Sequence, residues 1–554
     1  MRRLRWGLLG LALLALGAAG GIVGTLKLQR DALRWYERIQ DKLARVLPGP
    51  AETEPAWVAE PGYRVAIHSR GFSFPSRIAP HPRAPQDDAA TAYWVAELSG
   101  TIRAVARTGA SFVLVDHLLD FERKSLQESG LLGMDADRGG EALFVSLAYW
   151  DEAGGAYRNR VDRLQLAPDG KRVAERTTVL DMSGEATVAS YQIQFVRVGP
   201  DGTLWVGVGM GANPADAQSL DKFAGKILHL DPAGNALPDN PFYAPDQPHA
   251  ARSYVYALGF RNPFDLDFDP GTGVAIVSDV GPGIDRMLRL ERGVNYLFGQ
   301  PGGEDMMRGN ALFTWGPGGS FAPTGVALRR APGAASAELF LALYGAVYDP
   351  GVNAGKRVLR FGLDDRGFLS ERGELATHYA GKYFSSITDV ANVHGEIYFA
   401  DLYGVGEAPH EGKGLIYKLE RTASDAGAAA PVAETGEALF ASFGCNACHD
   451  THDGDSSKEG PALGGLAARL AARLNDAAYE KQLRDLAARE GAYFAGQRAL
   501  YAELAALRGR ARVERWFRAH LHDPRFDHPE GKMPAFPQLS DTQLNELAKF
   551  LLAD

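Results

Sequence analysis

From residue 56 to about 420, apolar residues come in short runs separated by turn residues. Tyr63–His68, Ala92–Leu98, Ala142–Leu147, Leu204–Val208, Val274–Ser278, Val358–Phe361 and Glu396–Phe399 are such runs, rich in β-branched and aromatic side chains. Several follow a turn directly, as in Pro200-Asp201-Gly202-Thr203-Leu204-Trp205-Val206. No long helical periodicity separates them, so the pattern predicts a large all-β array. A stretch of about 365 residues suits a β-propeller, which grows by blades of about forty to fifty residues, better than one sandwich. Towards the C-terminus the period changes. Leu466–Arg512 is dense in Ala, Leu, Arg and Glu, and Thr542–Leu552 is amphipathic through Leu544, Leu547, Phe550 and Leu551. The last 120 or so residues therefore read as an all-α domain.

The N-terminus adds a third texture. Arg2, Arg3 and Arg5 precede an uncharged run from Trp6 to Leu26, long enough to span a bilayer, with the arginines on the cytoplasmic side. Residues 28–47 carry Leu33, Trp35, Tyr36, Ile39, Leu43 and Val46 at helical spacing, and Pro48-Gly49-Pro50 ends that pattern. The expected organisation is a signal or membrane-anchor helix at 1–27, then a juxtamembrane amphipathic helix and linker at 28–55. The propeller at 56–420 and an Ala/Gly-rich linker at 421–435 follow, and then a helical domain at 436–554 with an extra helical stretch at 474–512. This places a single N-terminal span in a bacterial inner membrane, with the soluble domains in the periplasm.

Composition narrows the chemistry. The 554 residues are 45% apolar and 23% charged, enough for large cores, and Gly 64 with Pro 31 favours a turn-rich β protein. A net charge of −9 gives no electrostatic footprint for nucleic acid. Two cysteines exclude a disulfide scaffold, an iron–sulfur cluster or a four-thiolate zinc site within one chain. Both lie in Cys445-Asn446-Ala447-Cys448-His449, the spacing of covalent haem c attachment. Two thiols take the haem vinyl groups, and the adjacent His449 reaches the iron. A thioredoxin-type pair would need a βαβ context, and zinc would need a second ligand pair; neither is present in the sequence.

Met533 is the only methionine after this motif, which makes it the candidate for the opposite iron ligand. His452, His520, His522 and His528 compete for that role and are expected at the surface. The stretch Gly531-Lys532-Met533-Pro534-Ala535-Phe536-Pro537 resembles the methionine loop of class I cytochromes c. Gly460-Pro461-Ala462-Leu463 is similar to the segment of that family whose proline carbonyl accepts from the proximal histidine. The interval between Cys448 and Met533 is longer than that family usually has. Its excess, 474–512, reads as a solvated helical hairpin or, as a second reading, a docking surface.

Within the propeller, Leu258-Gly259-Phe260-Arg261-Asn262-Pro263-Phe264-Asp265-Leu266, Val280-Gly281-Pro282 and Gly293-Val294-Asn295-Tyr296 resemble the glucose/sorbosone dehydrogenase family. Glu128-Ser129-Gly130-Leu131-Leu132-Gly133, Val198-Gly199-Pro200-Asp201-Gly202 and Ala224-Gly225-Lys226-Ile227-Leu228 extend the resemblance. It implies a six-bladed propeller that uses pyrroloquinoline quinone (PQQ) with calcium. By the same resemblance, Arg261 and Asn262 would contact PQQ, and the carbonyls of Gly281 and Pro282 would hold calcium. The family's catalytic histidine falls on Tyr191, a poor general base at neutral pH. The family's lysine falls on Tyr344, and the two arginines of its Arg-x-Arg-Asp stretch fall on Ser386 and Thr388. Lys226, Lys356 and Arg357 are candidate substitutes. Arg261 and Tyr191 are the candidate catalytic residues.

Two functional expectations follow. One is a membrane-tethered periplasmic haem c electron-transfer protein whose propeller oxidises a small sugar or aldehyde and hands electrons to the haem. The other keeps the cytochrome but makes the propeller a non-catalytic binding platform within a membrane redox assembly. Both call for a redox partner protein or respiratory acceptor.

Overall fold

The computed structural model describes residues 57–553 except 86, 120–128, 282–284, 301–310, 316–320, 346–354, 381–384, 404–410, 423–434, 443–444, 446–448, 455–460, 490–491, 529–532, 534–535, 537–538 and 540. The predicted anchor and amphipathic segment, most of the linker, Pro282 and Cys448 lie outside the described residues. Among the described residues no helix is long and apolar enough to cross a membrane.

Residues 57–421 form six antiparallel sheets, the blades of a propeller. Their inner strands are Pro75–Pro80 (blade I), Gly130–Ala136 (II), Ile193–Val198 (III), Pro263–Phe268 (IV), Pro323–Arg329 (V) and Ile387–Val393 (VI). Each packs on the next, and blade VI packs on blade I, which completes the ring. Two N-terminal strands finish the circle. Strand β1 (Trp57–Ala59) adds a fifth strand to blade V, against Leu369–Tyr379. Strand β2 (Tyr63–Phe72) is the outermost strand of blade VI, paired with Gly414–Arg421 in the register Tyr63↔Arg421. Every apolar run singled out above lies in a strand or within one residue of it. Leu204–Val208 is buried at all five positions, because neighbouring blades cover both faces of a blade.

Charge is buried where the inner strands meet. Arg77 reaches Asp265 and Asp389 at 3.0 Å each, and Arg197 grips Asp265 through two bonds of 3.0 and 2.8 Å. Asp265 and Asp389 are fully buried. These carboxylates and two more accept backbone N–H groups from the neighbouring blade: Ile78 to Asp389 (2.7 Å), Val198 to Asp135 (2.9 Å), Val326 to Asp265 (2.8 Å) and Leu328 to Asp267 (2.6 Å). No strand ladder runs between blades, so the aspartates satisfy donors that would otherwise be buried unpaired.

Burial pushes the Asp267 carboxyl up to about 7, and the Arg197 charge offsets only part of that. The fold thus favours its protonated form. The contribution is fully present below the unfolded-chain value of about 3.9 and is lost as pH rises through about 7. The urea midpoint of the propeller is expected to fall between about pH 4 and pH 7, and Asp267→Asn to flatten that slope. An identical slope in the variant would remove Asp267 from the account.

The C-terminal domain contains α1 (Gly436–Ser442), α2 (Leu466–Leu474), α3 (Ala477–Ala488), α4 (Ala492–Ala506), α5 (Gly509–His522) and α6 (Asp541–Leu551). Helices α1 and α6 meet at Gly436, where a Cβ would come within 2.2 Å of the Glu546 carbonyl oxygen; only glycine allows that approach. Asp476 caps α3 by accepting from the Ala478 N–H at 2.7 Å. The expected helical hairpin at 474–512 forms, with α3 packed on α4 and a solvated outer face, but its inner face is buried. Tyr479, Leu483, Leu486, Tyr501 and Leu504 share one buried core with Leu439, Phe440, Leu544 and Leu547. Fully buried Arg512 donates to Leu474 O (2.6 Å), Leu504 O (2.7 Å) and Ala505 O (3.0 Å), closing the carbonyl ends of α2 and α4.

Candidate functional site

At the mouth of the propeller the structure brings Tyr191, Arg261, Asn262 and Gly281 together. Tyr191 precedes the inner strand of blade III, and Arg261-Asn262 precedes that of blade IV. The organiser is Asp279, almost fully buried, whose Oδ1 accepts from the backbone N–H of Arg261 (3.1 Å) and of Asn262 (2.8 Å). Its Oδ2 pairs with Arg286 Nη2 at 2.5 Å. Buried Asn262 receives Gln194 Nε2 at 3.0 Å. Beside this, Asp285 accepts from Gly281 N (3.1 Å) and Ala322 N (3.0 Å), and burial pushes its carboxyl up to about 7. Sequence reasoning missed both aspartates. The signal was available, since Asp279 and Asp285 flank the Val280-Gly281-Pro282 turn.

Arg261 spends its guanidinium inside the protein. Nη1 donates to Val280 O at 3.0 Å and Nη2 to Tyr191 Oη at 2.8 Å, with the guanidinium carbon 4.5 Å from the Tyr191 ring centre. It ties blade III to blade IV. Tyr191 is held at φ 59, a left-handed conformation that costs a non-glycine residue about 1–3 kcal/mol. The surroundings enforce it: Gly211 N donates to Tyr191 O at 3.1 Å, and a Cβ on Gly209 would come within 2.5 Å of the Tyr191 backbone. Behind this turn lies a cavity of about 270 Å³, lined among others by Glu185, Thr187, Gly209, Gly211, Lys222 and Phe223.

The other positions matched to the family's cations carry no charge towards this mouth. Tyr344 Oη lies 3.3 Å from Tyr403 Oη, and Thr388 Oγ1 donates to Pro75 O at 2.8 Å. Ser386 is buried, with its N–H on Asp401 at 3.3 Å. Of the candidate substitutes, buried Lys226 donates to Asp216 O (2.8 Å) and Ala224 O (2.6 Å), and burial depresses its ammonium to about 7. Lys356 lies 5.3 Å from the Tyr379 ring centre and Arg357 5.9 Å from that of Phe321. A tricarboxylate would meet Arg261, two of whose five donors are engaged with Val280 O and Tyr191 Oη, and hydroxyls where the resemblance calls for cations. The described residues do not fit PQQ.

In the helical domain, the backbone N–H of His449 bonds to Cys445 O at 3.0 Å, so His449 follows Cys445 by one helical turn. His449 Nδ1 lies 2.8 Å from Pro461 O. A carbonyl can only accept, so Nδ1 carries the proton and the lone pair is on Nε2, the tautomer a metal-bound imidazole needs. Cys445 and Met533 both pack against the core that holds Phe440, Leu470, Phe536 and Leu544. Among the described residues, Cys445, His449 and Met533 are compatible with holding a haem; the second thiol, Cys448, lies outside the described residues. Of the competing histidines, His452 is exposed at 63% of its side chain and His528 is exposed. His522 lies 3.2 Å from Leu539 O. His520 departs from the surface expectation: it stacks on Trp516 at 4.3 Å, because the i, i+4 spacing on α5 places both on the buried face.

A family model described as Glucose / Sorbosone dehydrogenase matches residues 82–303. The chain is 30% identical over 153 residues to the aldose sugar dehydrogenase YliI of Escherichia coli (strain K12), a stretch that makes up 27% of this chain and 37% of that protein. Among solved structures, a putative oxidoreductase (glucose dehydrogenase) of Thermus thermophilus is 28% identical with a TM-score of 0.50, over 65% of this chain and 100% of that one. The PQQ-bound aldose sugar dehydrogenase of Streptomyces coelicolor, at 22% identity, shares the fold with a TM-score of 0.50, over 66% of this chain and 99% of its own. Residues 57–421 are thus a six-bladed propeller of the glucose/sorbosone dehydrogenase-like kind.

Proposed function

We propose that the protein is a membrane-tethered c-type cytochrome whose propeller serves as a platform for a redox partner. The observation that supports this reading is the 2.8 Å contact from His449 Nδ1 to Pro461 O, which puts the lone pair on Nε2, where an iron would need it. Cys445 and Cys448 would hold the haem covalently, and His449 and Met533 would ligate its iron. When bound, the haem would supply one-electron oxidation and reduction, and a thioether ligand in place of a second imidazole would raise its potential. The chain's own part is to fix the imidazole tautomer and pack the thioether against an apolar core. The run Trp6–Leu26 behind Arg2, Arg3 and Arg5 supports tethering in the inner membrane, with these domains in the periplasm.

The test uses the full chain made in a host that matures cytochromes c. Haem is expected in the detergent-released membrane fraction and should stay on the protein through acid–acetone extraction. The Cys445→Ala, Cys448→Ala double variant should lose it entirely. Complete extraction from the wild type, or haem-bearing protein released without detergent, would refute the corresponding half of the reading.

A second reading rests on the cavity beside Tyr191. Its carboxylate, amide, hydroxyl and aromatic lining suits a small polyol or aldehyde, and the similarity to aldose sugar dehydrogenases points the same way. In that reading the propeller is an oxidoreductase in which a quinone-class acceptor would take two electrons from the substrate and pass them one at a time to the haem.

A further inference from the structure

We infer that Asp527 is a positioning residue for Met533, and that the extra helices α3 and α4 exist to build its socket. The inference rests on the haem reading above. Asp527 is fully buried. Its Oδ2 collects Trp516 Nε1 (2.6 Å), Arg473 Nη2 (3.0 Å) and Tyr479 Oη (3.1 Å), donors from α5, α2 and α3. Its Oδ1 faces His520 Nδ1 at 3.8 Å. Burial pushes the carboxyl up, but His520, Trp516 and Arg473 outweigh burial and hold it below the ordinary carboxylate range. The backbone is seized at the same place: Gln482 Nε2 of α3 donates to Asp527 O at 2.5 Å, and Tyr501 Oη of α4 to Phe526 O at 2.7 Å. Downstream, Phe536 N donates to Leu521 O at 2.7 Å, and His522 Nε2 donates to Leu539 O at 3.2 Å. Met533 therefore sits between two clamps.

The first clamp depends on the helices that lengthen this domain, since Tyr479, Gln482 and Tyr501 all lie on α3 and α4. A thioether is a weak, neutral ligand, and how long it stays on iron depends on how firmly its backbone is held. An ionised, buried carboxylate taking three donors is a stiff anchor, because losing any one donor leaves a buried charge under-satisfied.

The experiment measures displacement of the methionine by imidazole in the oxidised, haem-loaded full chain, followed by the sulfur-to-iron band near the red end of the spectrum. Asp527→Asn is expected to tighten imidazole binding at least tenfold. Trp516→Phe and Tyr479→Phe, which each remove one donor, should give smaller changes in the same direction, and they stand in if Asp527→Asn does not fold. Asp485→Asn, an exposed position on α3, should behave as wild type. A second readout needs no haem: hydrogen exchange of the Phe536 amide should quicken in Asp527→Asn while amides of α6 do not. Folded variants with wild-type imidazole affinity and wild-type Phe536 exchange would overturn the inference and leave the haem reading intact. A wild type that carries no haem would strike the haem reading instead, and the Phe536 exchange then decides whether Asp527 anchors this segment.

Discussion

Asp265→Ala is expected to destabilise the propeller by about 3–5 kcal/mol, the usual cost of removing one partner from a buried ion pair. Asp265 is the hub of the axial charge cluster. It holds Arg197 through two bonds, lies 3.0 Å from Arg77, and takes the backbone N–H of Val326 from the next blade. Truncation leaves two guanidiniums, both almost fully buried, with Asp389 as their main counter-charge. Asp265→Asn keeps the shape and an acceptor but removes the charge, so a loss of similar sign and smaller size is expected. Asp365→Ala breaks an exposed contact to Arg330 and should stay within about 0.5 kcal/mol of wild type. Urea unfolding followed by tryptophan fluorescence measures all three. A loss below about 1 kcal/mol for Asp265→Ala would mean the cluster is not holding the blades together.

Titrating the calcium-loaded protein with PQQ in a calorimeter is expected to give weak binding or none. Each charge-assisted hydrogen bond is worth roughly 1.5–3 kcal/mol. Tyr344, Ser386 and Thr388 stand where the family resemblance calls for cations, so the shortfall is ~3 to 6 decades of affinity at about 1.4 kcal/mol per decade. One guanidinium can pair with one carboxylate at most, and that of Arg261 already donates to Val280 O and Tyr191 Oη. A calcium ion at the Gly281 carbonyl would recover part of the deficit by adding positive charge at the same place. Sub-micromolar binding with aldose-driven haem reduction would reverse the conclusion. The propeller would then be a dehydrogenase, with Arg261 redirected on binding.

The strands were legible because each blade is sandwiched between two others, and that burial writes itself locally as short apolar runs such as Leu204–Val208. The pairing of β2 with Gly414–Arg421 left no local mark, since each strand would pair as well with any edge of the right pattern. Cys445, His449 and Met533 could be singled out because the proposed haem would need particular residue types at fixed or countable places. Asp265 could not. Its partners Arg77 and Arg197 come from other blades, and nothing within a few residues tells a buried aspartate from a turn aspartate. The buried face of the helical stretch 474–512 was hidden for a related reason. Its alanine and arginine content looks solvated, yet Arg512 is fully buried because the carbonyl ends of two helices give its guanidinium three acceptors. His520 was misplaced in the same way, through partners that lie on other elements.

The seam in blade VI has a kinetic consequence. Strand β2 leaves the ribosome before any inner strand of the ring, and its partner Gly414–Arg421 leaves after all of them. For almost the whole synthesis of the domain, β2 is a strand of mixed apolar and polar residues with both edges open, the kind of segment that invites wrong pairing. The last pairing to form is also the one of longest sequence separation, so it carries the largest loop-closure cost and sets a slow final step. Until that step the five other blades form an open arc whose first and last members expose the faces they will later bury against blade VI. Folding of this chain is therefore a race between ring closure and association of open arcs.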